Sequence, residues 1–402
     1  MKAVFTPSTP KGSVEAPPSK SMAHRHLICA GLSRGVGSVT GIAPSEDISA
    51  TLDCLAALGA KIKLSDGVAR VRGAAPGRAK SAVLTCRESG STLRFFIPLC
   101  LLSGKEMTLT GSATLLSRPL SVYEELAKDK GFSFEKRENA VTVKGKLTPG
   151  EYAVPGDVSS QFVSGLLFAL PLLDGDSVIR LLPPVESRSY LDLTVSALAE
   201  YGVTAVWEDD TTLLVPGGQT YQAHDAKVEG DWSNAAAFLS LGVNVTGLRE
   251  DSLQGDRRVT GYLAELDRGK AEIDLTDCPD LAPVLFAHAA LRHGGRFTGT
   301  RRLAVKESDR GEAMRAELSK CGVPVTVGEN EIDVGCGAKA PETPFSGHND
   351  HRIVMACALL AAKLGGEIDG IGAVKKSYPD FFSKLQSVNI KVETKDGMDI
   401  EK

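Results

Sequence analysis

Six times along the chain a short polar turn gives way to an apolar run of helical length. The turns are Pro18-Ser19-Lys20-Ser21 before 27–32, Glu88-Ser89-Gly90-Ser91 before 93–102, and Gly156-Asp157-Val158-Ser159-Ser160 before 162–173. Gly230-Asp231-Trp232-Ser233 before 235–241, Pro279-Asp280 before 281–291, and Asn349-Asp350-His351-Arg352 before 353–360 complete the set. Runs that are apolar on every side predict buried helices, and Ser or Asp at their starts predicts capping of the free first-turn amides. Between them, 39–42, 140–143 and 212–215 read as strands. Further helix patterns cover 49–58, ending at Gly59, and 191–201, ending at Gly202.

Most intervals between the markers are about 70 residues, from Ser21 to Gly90, Gly90 to Val158, Val158 to Trp232 and Asp280 to Asp350. A fixed period of that size predicts repeated α/β supersecondary units. Asp231 to Asp280 is only about 50 residues, short by roughly a β-hairpin, so the unit over about 231–279 is expected to lack two strands.

The 402-residue length favours two or three domains. A net charge of −4 provides no global positive field for nucleic acid, so binding of anions must rest on local Lys and Arg. Met1-Lys2-Ala3-Val4-Phe5 lacks the apolar core of a signal peptide, and no apolar run approaches the ~20 residues that span a bilayer. The eight cysteines include no CxxC pair and read as reduced thiols in small apolar positions rather than zinc ligands. A cytoplasmic enzyme is expected. GxxxxGK[ST], GxGxxG after a strand, HExxH and GxSxG are all absent, which removes weight from ATP, hydride-transfer, zincin and serine-hydrolase chemistry. No cofactor is implied.

What remains is a recurrence of cations at the marker turns. Lys20, Ser21 and Arg25 gather at the first, and Arg94 lies one helical turn after Gly90. Arg118 precedes Pro119, Lys306-Glu307-Ser308-Asp309-Arg310 and Asp350-His351-Arg352 mix charges, and Lys375-Lys376 precede Tyr378-Pro379. Taken singly, each is most simply a solvated surface run. Caps need no cations, however, while a helix N-terminus with added Lys or Arg suits an anion.

Pro18-Ser19-Lys20-Ser21 with Arg25, Glu88-Ser89-Gly90-Ser91-Thr92-Leu93-Arg94, Gly156-Asp157-Val158-Ser159-Ser160-Gln161-Phe162, Val305-Lys306-Glu307-Ser308-Asp309-Arg310 and Asn349-Asp350-His351-Arg352 stand in the order seen in the EPSP synthase family, the 3-phosphoshikimate 1-carboxyvinyltransferases. This resemblance runs from about residue 10 to 385. It implies a two-domain inside-out α/β barrel of six βαβαββ-type units. Residues 1–17 with 229–402 would form a discontinuous domain and 18–228 an inserted one, with the active site in the cleft between them. The implied reaction transfers the enolpyruvyl group of phosphoenolpyruvate to the 5-hydroxyl of shikimate 3-phosphate by addition and elimination. It needs neither metal nor cofactor, and the partners are these small molecules alone, with no nucleic acid or membrane, acting on a monomer.

Position by position, Lys20, Ser21, Arg25, Ser159, Ser160, Gln161, Ser187, Tyr190, Asp280 and Lys306 resemble the shikimate 3-phosphate contacts. Lys20, Gly90, Arg94, Arg118, Gln161, Arg310, Arg352 and Lys376 resemble the phosphoenolpyruvate site. Lys20, Asp280 and Glu307 are the implied catalytic groups: Asp280 near the attacking hydroxyl, Glu307 at the methylene carbon, Lys20 sharing the proton work. At Gly90 either a close approach to the donor or a turn with positive φ would demand glycine. Glu88, Ser89, Phe95 and the segment Ser187-Arg188-Ser189-Tyr190 depart from the family's usual residues. The related transferase acting on UDP-N-acetylglucosamine has Lys-Asn for Lys20-Ser21 and a reactive Cys on a loop, whereas 109–119 here has no Cys.

Overall fold

In a computed structural model of the chain, which describes residues 1–74 and 79–395, every one of the six switches from polar to apolar is a helix start. The helices are α1 (Lys20–Leu32), α2 (Gly90–Cys100), α3 (Ser160–Ala169), α4 (Trp232–Leu241), α5 (Ala282–Leu291) and α6 (His351–Leu364). Five are capped as expected: Ser19, Ser89, Ser159, Asp231 and Asp350 accept from the amides of Met22, Thr92, Gln161, Asn234 and Arg352. α5 differs. It follows a 3-10 turn, Pro279–Leu281, without a side-chain cap, so the Asp280 carboxylate is left for other partners.

The chain divides into two compact units, Pro18–Glu229 and Met1–Pro17 with Gly230–Lys402. Each has its own core. In Pro18–Glu229, Leu27, Phe95, Phe96, Phe162 and Leu166 from α1, α2 and α3 pack with inward strand residues such as Val39, Val141 and Ile179. In the other unit Phe238, Phe286, Met355 and Leu359 from α4, α5 and α6 play the same part. Helices are thus inside, and strands alternate buried and exposed positions, as Val68–Arg72 does.

The sheets repeat one plan. Val83–Thr85 lies parallel to Met107–Thr110, which pairs antiparallel with Ala140–Lys144 and so with Ser133–Lys136. Gly150–Pro155, Ser177–Leu182, Thr212–Val215 and Val206–Trp207 follow the same order, as do Ala271–Asp274, Gly295–Thr298, Glu331–Val334 and Val325–Val327. The parallel pair needs a crossover, which the marker helix supplies. Two sheets borrow a strand from far along the chain: Ala226–Lys227 pairs with Val36–Thr40, and Lys2–Thr6 lies between Gly366–Asp369 and Lys391–Lys395. The last sheet has two strands, Ser13–Glu15 parallel to Asn244–Thr246. After Thr246 the chain passes through helix Val259–Arg268 straight into the next sheet, so the short interval is a missing hairpin.

Local boundaries shift for identifiable reasons. The strand expected at 39–42 is Val36–Thr40, because Gly41 at φ +78° turns the chain out of the ladder. The helix expected from residue 49 begins at Glu46 behind a Ser45 cap. Seven cysteines are buried and Cys336 is exposed, all as free thiols. No described helix is long and apolar enough to cross a membrane.

Pro98 sits inside α2 rather than ending it. Proline has no N–H, so the carbonyl four residues earlier, that of Arg94, loses its helical donor. The Tyr123 hydroxyl takes over and donates to Arg94 O at 2.6 Å. This ties the helix to Ser121–Lys130 at the residue whose side chain enters the site. Tyr123→Phe should therefore cost about 1–3 kcal/mol, the penalty of a buried acceptor left unsatisfied. Denaturant unfolding measures it, and an unchanged midpoint would show that the carbonyl does not need the hydroxyl.

Candidate active site

In Pro18–Glu229, α1 and α2 carry Arg25 and Arg94 about one turn in, and a third arginine, Arg118, stands beside Arg94 and Gly90. Arg25, one turn into α1 and 3% exposed, donates Nε to Thr194 Oγ1 at 2.9 Å, Nη1 to Ser21 O at 2.7 Å and Nη2 to Tyr190 O at 2.8 Å. Arg94 donates Nη1 to Gln161 Oε1 at 2.6 Å and Nη2 to Pro119 O at 3.1 Å. Gln161 in turn donates Nε2 to Ser91 Oγ at 2.9 Å. Arg118 ends the short helix Ala113–Ser117. Among the described residues none of the three arginines has a carboxylate partner; Arg25 and Arg94 are held by neutral oxygens, so their charge stays available. Burial pushes Arg25 down to about 10; burial and then the nearby Arg118 push Arg94 to about 10, so both remain charged at neutral pH.

Gly90 lies where these groups meet. A Cβ there would stand 3.0 Å from Arg118 Nη1, 3.5 Å from Arg94 Nη1 and 3.6 Å from Gln161 Oε1. Its backbone is not left-handed, so close approach and not turn geometry is the reason for glycine. Ser187, by contrast, is held at φ 56° at the start of helix Arg188–Glu200 and is buried. Ser159 and Ser160 open α3 and are half-buried.

Lys20 is paired with Asp47 at 2.8 Å, a carboxylate that no motif singled out. Behind this pair runs a buried series of hydroxyls: His24 Nδ1 to Thr51 Oγ1, Thr51 to Thr92, and Thr92 to Ser89, each at 2.8 Å. It joins α1, helix Glu46–Ala57 and α2. Burial, then Lys20 and Arg25, lower His24 well below its ordinary value, so it is neutral at pH 7.

The other unit builds a different cluster, in which cations and carboxylates alternate. Arg310 bridges Asp280 Oδ1 at 2.7 Å and Asp350 Oδ2 at 2.9 Å. Arg352 reaches Asp280 Oδ2 at 3.5 Å, and Lys306 lies 3.8 Å from Asp280 Oδ1. Glu307 lies 3.1 Å from His351 Nδ1 and 3.7 Å from Lys376 Nζ, which donates to Asn349 O at 2.7 Å. Burial pushes the Asp280 carboxyl up, but Lys306, Arg310 and Arg352 outweigh it and hold it well below the carboxylate range. Asp280 is thus an anion at working pH and a weak base until a positive charge leaves or a proton is forced on it.

Every sequence-derived site residue therefore falls in one of two groups. Lys20, Ser21, Arg25, Gly90, Arg94, Arg118, Ser159, Ser160, Gln161, Ser187 and Tyr190 belong to one unit; Asp280, Lys306, Glu307, Arg310, Arg352 and Lys376 belong to the other. Asp47, Thr194, Asp350 and His351 were not singled out as site residues, although Asp350 and His351 stand inside a quoted motif. Glu307, Asp350 and His351 bring ligand atoms within 4.8 Å of one another. Arg310 and Lys376 already occupy those carboxylates, which opposes a divalent cation there.

Repeat units whose helix starts gather buried cations beside a carboxylate cluster define an enzyme for small polyanionic substrates. The sequence model of EPSP synthase (3-phosphoshikimate 1-carboxyvinyltransferase) matches residues 5–385. A 3-phosphoshikimate 1-carboxyvinyltransferase of Clostridium kluyveri is 39% identical, covering 97% of each chain. That of Clostridium novyi is 37% identical over 95% of this chain and 96% of its own. A solved EPSP synthase of Acinetobacter baumannii shares the fold with a TM-score of 0.79 and 22% identity, over 98% of this chain and all of that one. The chain belongs to the EPSP synthase family. It is a transferase of aromatic amino acid biosynthesis, moving the enolpyruvyl group of phosphoenolpyruvate to shikimate 3-phosphate.

One buried group near Asp280 gives a pH signature. Asp256, in the turn Gly255–Arg258, is pushed up to about 7 by burial and then by Asp280, against the pull of Arg352. The unfolded chain releases this proton near pH ~3.9. Between that value and the folded one the native state binds more protons, so stability falls as pH rises through the window. The slope contributed is up to about 1.4 kcal/mol per pH unit. Asp256→Asn should flatten the decline between weakly acidic and neutral pH, read by urea unfolding at several pH values. Parallel curves for the two proteins would contradict this.

Proposed function

We propose that the three arginines of Pro18–Glu229 and the carboxylate–cation cluster of the other unit serve one addition–elimination reaction. Ser21, Arg25, Ser159, Ser160, Gln161, Ser187 and Tyr190, with Lys20, Asp280 and Lys306, hold shikimate 3-phosphate. Lys20, Gly90, Arg94, Arg118, Gln161, Arg310, Arg352 and Lys376 hold phosphoenolpyruvate. The observation that carries this reading is that Arg25, Arg94 and Arg118 have no carboxylate partner among the described residues, which leaves their charge to an anionic ligand. Two polyanions repel, and each cation near them offsets about 4 kcal/mol at 4 Å once water is excluded and the effective dielectric is near 20.

In the addition step Glu307 gives a proton to the methylene carbon of phosphoenolpyruvate while the 5-hydroxyl oxygen bonds to its C2 and passes its proton to Asp280. The methylene carbon becomes a methyl and C2 a tetrahedral centre bearing phosphate. In the elimination Glu307 takes a proton back from the methyl, the C2–O bond to phosphate breaks, and the enolpyruvyl double bond forms. Lys20, an ammonium paired with Asp47, protonates the departing oxygen, and the proton that Asp280 took in the addition restores the Lys20 ammonium and the Asp280 carboxylate for the next turnover. No metal or cofactor enters. We take the working form to be a cytoplasmic monomer, on the family resemblance.

Phosphate release from phosphoenolpyruvate should require shikimate 3-phosphate; release with UDP-N-acetylglucosamine alone would overturn the assignment. Lys20→Met should nearly abolish turnover yet leave shikimate 3-phosphate binding largely intact, and loss of that binding would show the division of labour to be wrong. Gly90→Ala should displace Arg118 and weaken phosphoenolpyruvate binding and glyphosate inhibition together. Unchanged values for both would remove Gly90 from the site.

A further inference from the structure

Arg352 is held by two side chains of α4 in addition to Asp280. Its Nη1 donates to Asn234 Oδ1 at 3.0 Å and its Nη2 to Ser233 Oγ at 2.6 Å. The Ser233 hydroxyl spends its own proton on Asp231 Oδ1, 2.6 Å away. All four side chains are buried. The α4 cap does not need this hydroxyl, because Asp231 already accepts from the Asn234 amide at 2.8 Å. Ser233 therefore adds nothing that the helix start lacks, and its two bonds point to a task concerning Arg352.

The chemistry of the series fits that task. Asp280 already touches Arg352 at 3.5 Å, and a second carboxylate in direct contact would use up more of the charge that an anionic ligand needs. An interposed hydroxyl passes on orientation, accepting from the guanidinium and donating to Asp231, while keeping the opposite charge one residue further off. Two buried donors are left over: Arg352 Nε and Asn234 Nδ2 have no hydrogen-bond partner among the described residues. Since Asn234 Oδ1 is engaged by Arg352, its amide nitrogen can only give. Donors left in surplus beside a fixed guanidinium call for an acceptor.

Asp231 is itself anchored. Its N–H donates to Pro17 O at 2.8 Å, and the preceding Gly230 carbonyl accepts Gln254 Nε2 at 2.8 Å. Pro17 and Gly230 are the residues at which the chain leaves and re-enters this unit. The support of Arg352 thus begins at the paired crossing segments.

We propose that Ser233, oriented by Asp231, and Asn234 are positioning residues for Arg352, fixing its guanidinium for phosphoenolpyruvate and tying that orientation to the crossing segments. This rests on the reading of Arg352 as a phosphoenolpyruvate ligand, and the test separates the two. Steady-state kinetics of Ser233→Ala should show KM for phosphoenolpyruvate raised about ten-fold, as for loss of one hydrogen bond to a charged group. The value for shikimate 3-phosphate should change less than about two-fold, and kcat less than about three-fold. Ser233→Thr, which keeps the hydroxyl, should restore KM. Asn234→Ala should act in the same direction as Ser233→Ala. Arg352→Lys, which keeps the charge but not the fork, should raise the same KM. If Arg352→Lys does so and Ser233→Ala does not, the positioning role is overturned while the ligand role stands. If Arg352→Lys leaves KM unchanged, the ligand role fails and the inference with it. Equal losses toward both substrates, or no rescue by Ser233→Thr, would mean a structural residue only.

Discussion

A guanidinium buried without a carboxylate is costly unless neutral oxygens take most of its donors. Much of Pro18–Glu229 follows from that condition. Arg25 takes the carbonyls of Ser21 and Tyr190 and the hydroxyl of Thr194; Arg94 takes the carbonyl of Pro119 and the amide oxygen of Gln161. Except for Ser21 these acceptors lie far from their arginines in sequence, so meeting them fixes α1 against helix Arg188–Glu200 and α2 against α3. The apolar remainder of each helix, with Phe95 and Phe162 beneath the two arginines, excludes the water that would otherwise relieve the charge.

The other unit solves the opposite problem. There the cations are separated by Asp280, Glu307 and Asp350, so opposite charges meet. Asp280 can meet Arg310 because α5, alone among the six helices, dispenses with a side-chain cap. The same repeat thus presents two kinds of end: helix starts whose arginines have neutral partners among the described residues, and helix starts where cations and carboxylates alternate.

Departures from regularity fix the polar groups within each unit. Pro98 breaks one helical bond and Tyr123 repairs it from a neighbouring helix, locking the backbone of Arg94. The hydroxyls of Thr51, Thr92 and Ser89 bind three helices behind Lys20. Ser233 stands between Asp231 and Arg352 without neutralising either. Each is a polar contact inside an apolar core, where a missing partner is expensive and a satisfied one fixes geometry.

The chain's periodicity by itself determined the six helix starts, five of their caps and the short unit, because capping and hydrophobic burial act over a few residues and leave their mark in local order. Ordered motifs pointed to Lys20, Arg25, Arg94, Glu307 and Arg352 through resemblance. Tertiary structure alone decided which partner each charged group meets: Asp47 for Lys20, His351 beside Glu307, and, among the described residues, no carboxylate for Arg25 or Arg94. It also decided why Gly90 must be glycine. Charge pairing and close approach depend on distances between segments tens or hundreds of residues apart, and only the packed core sets those distances.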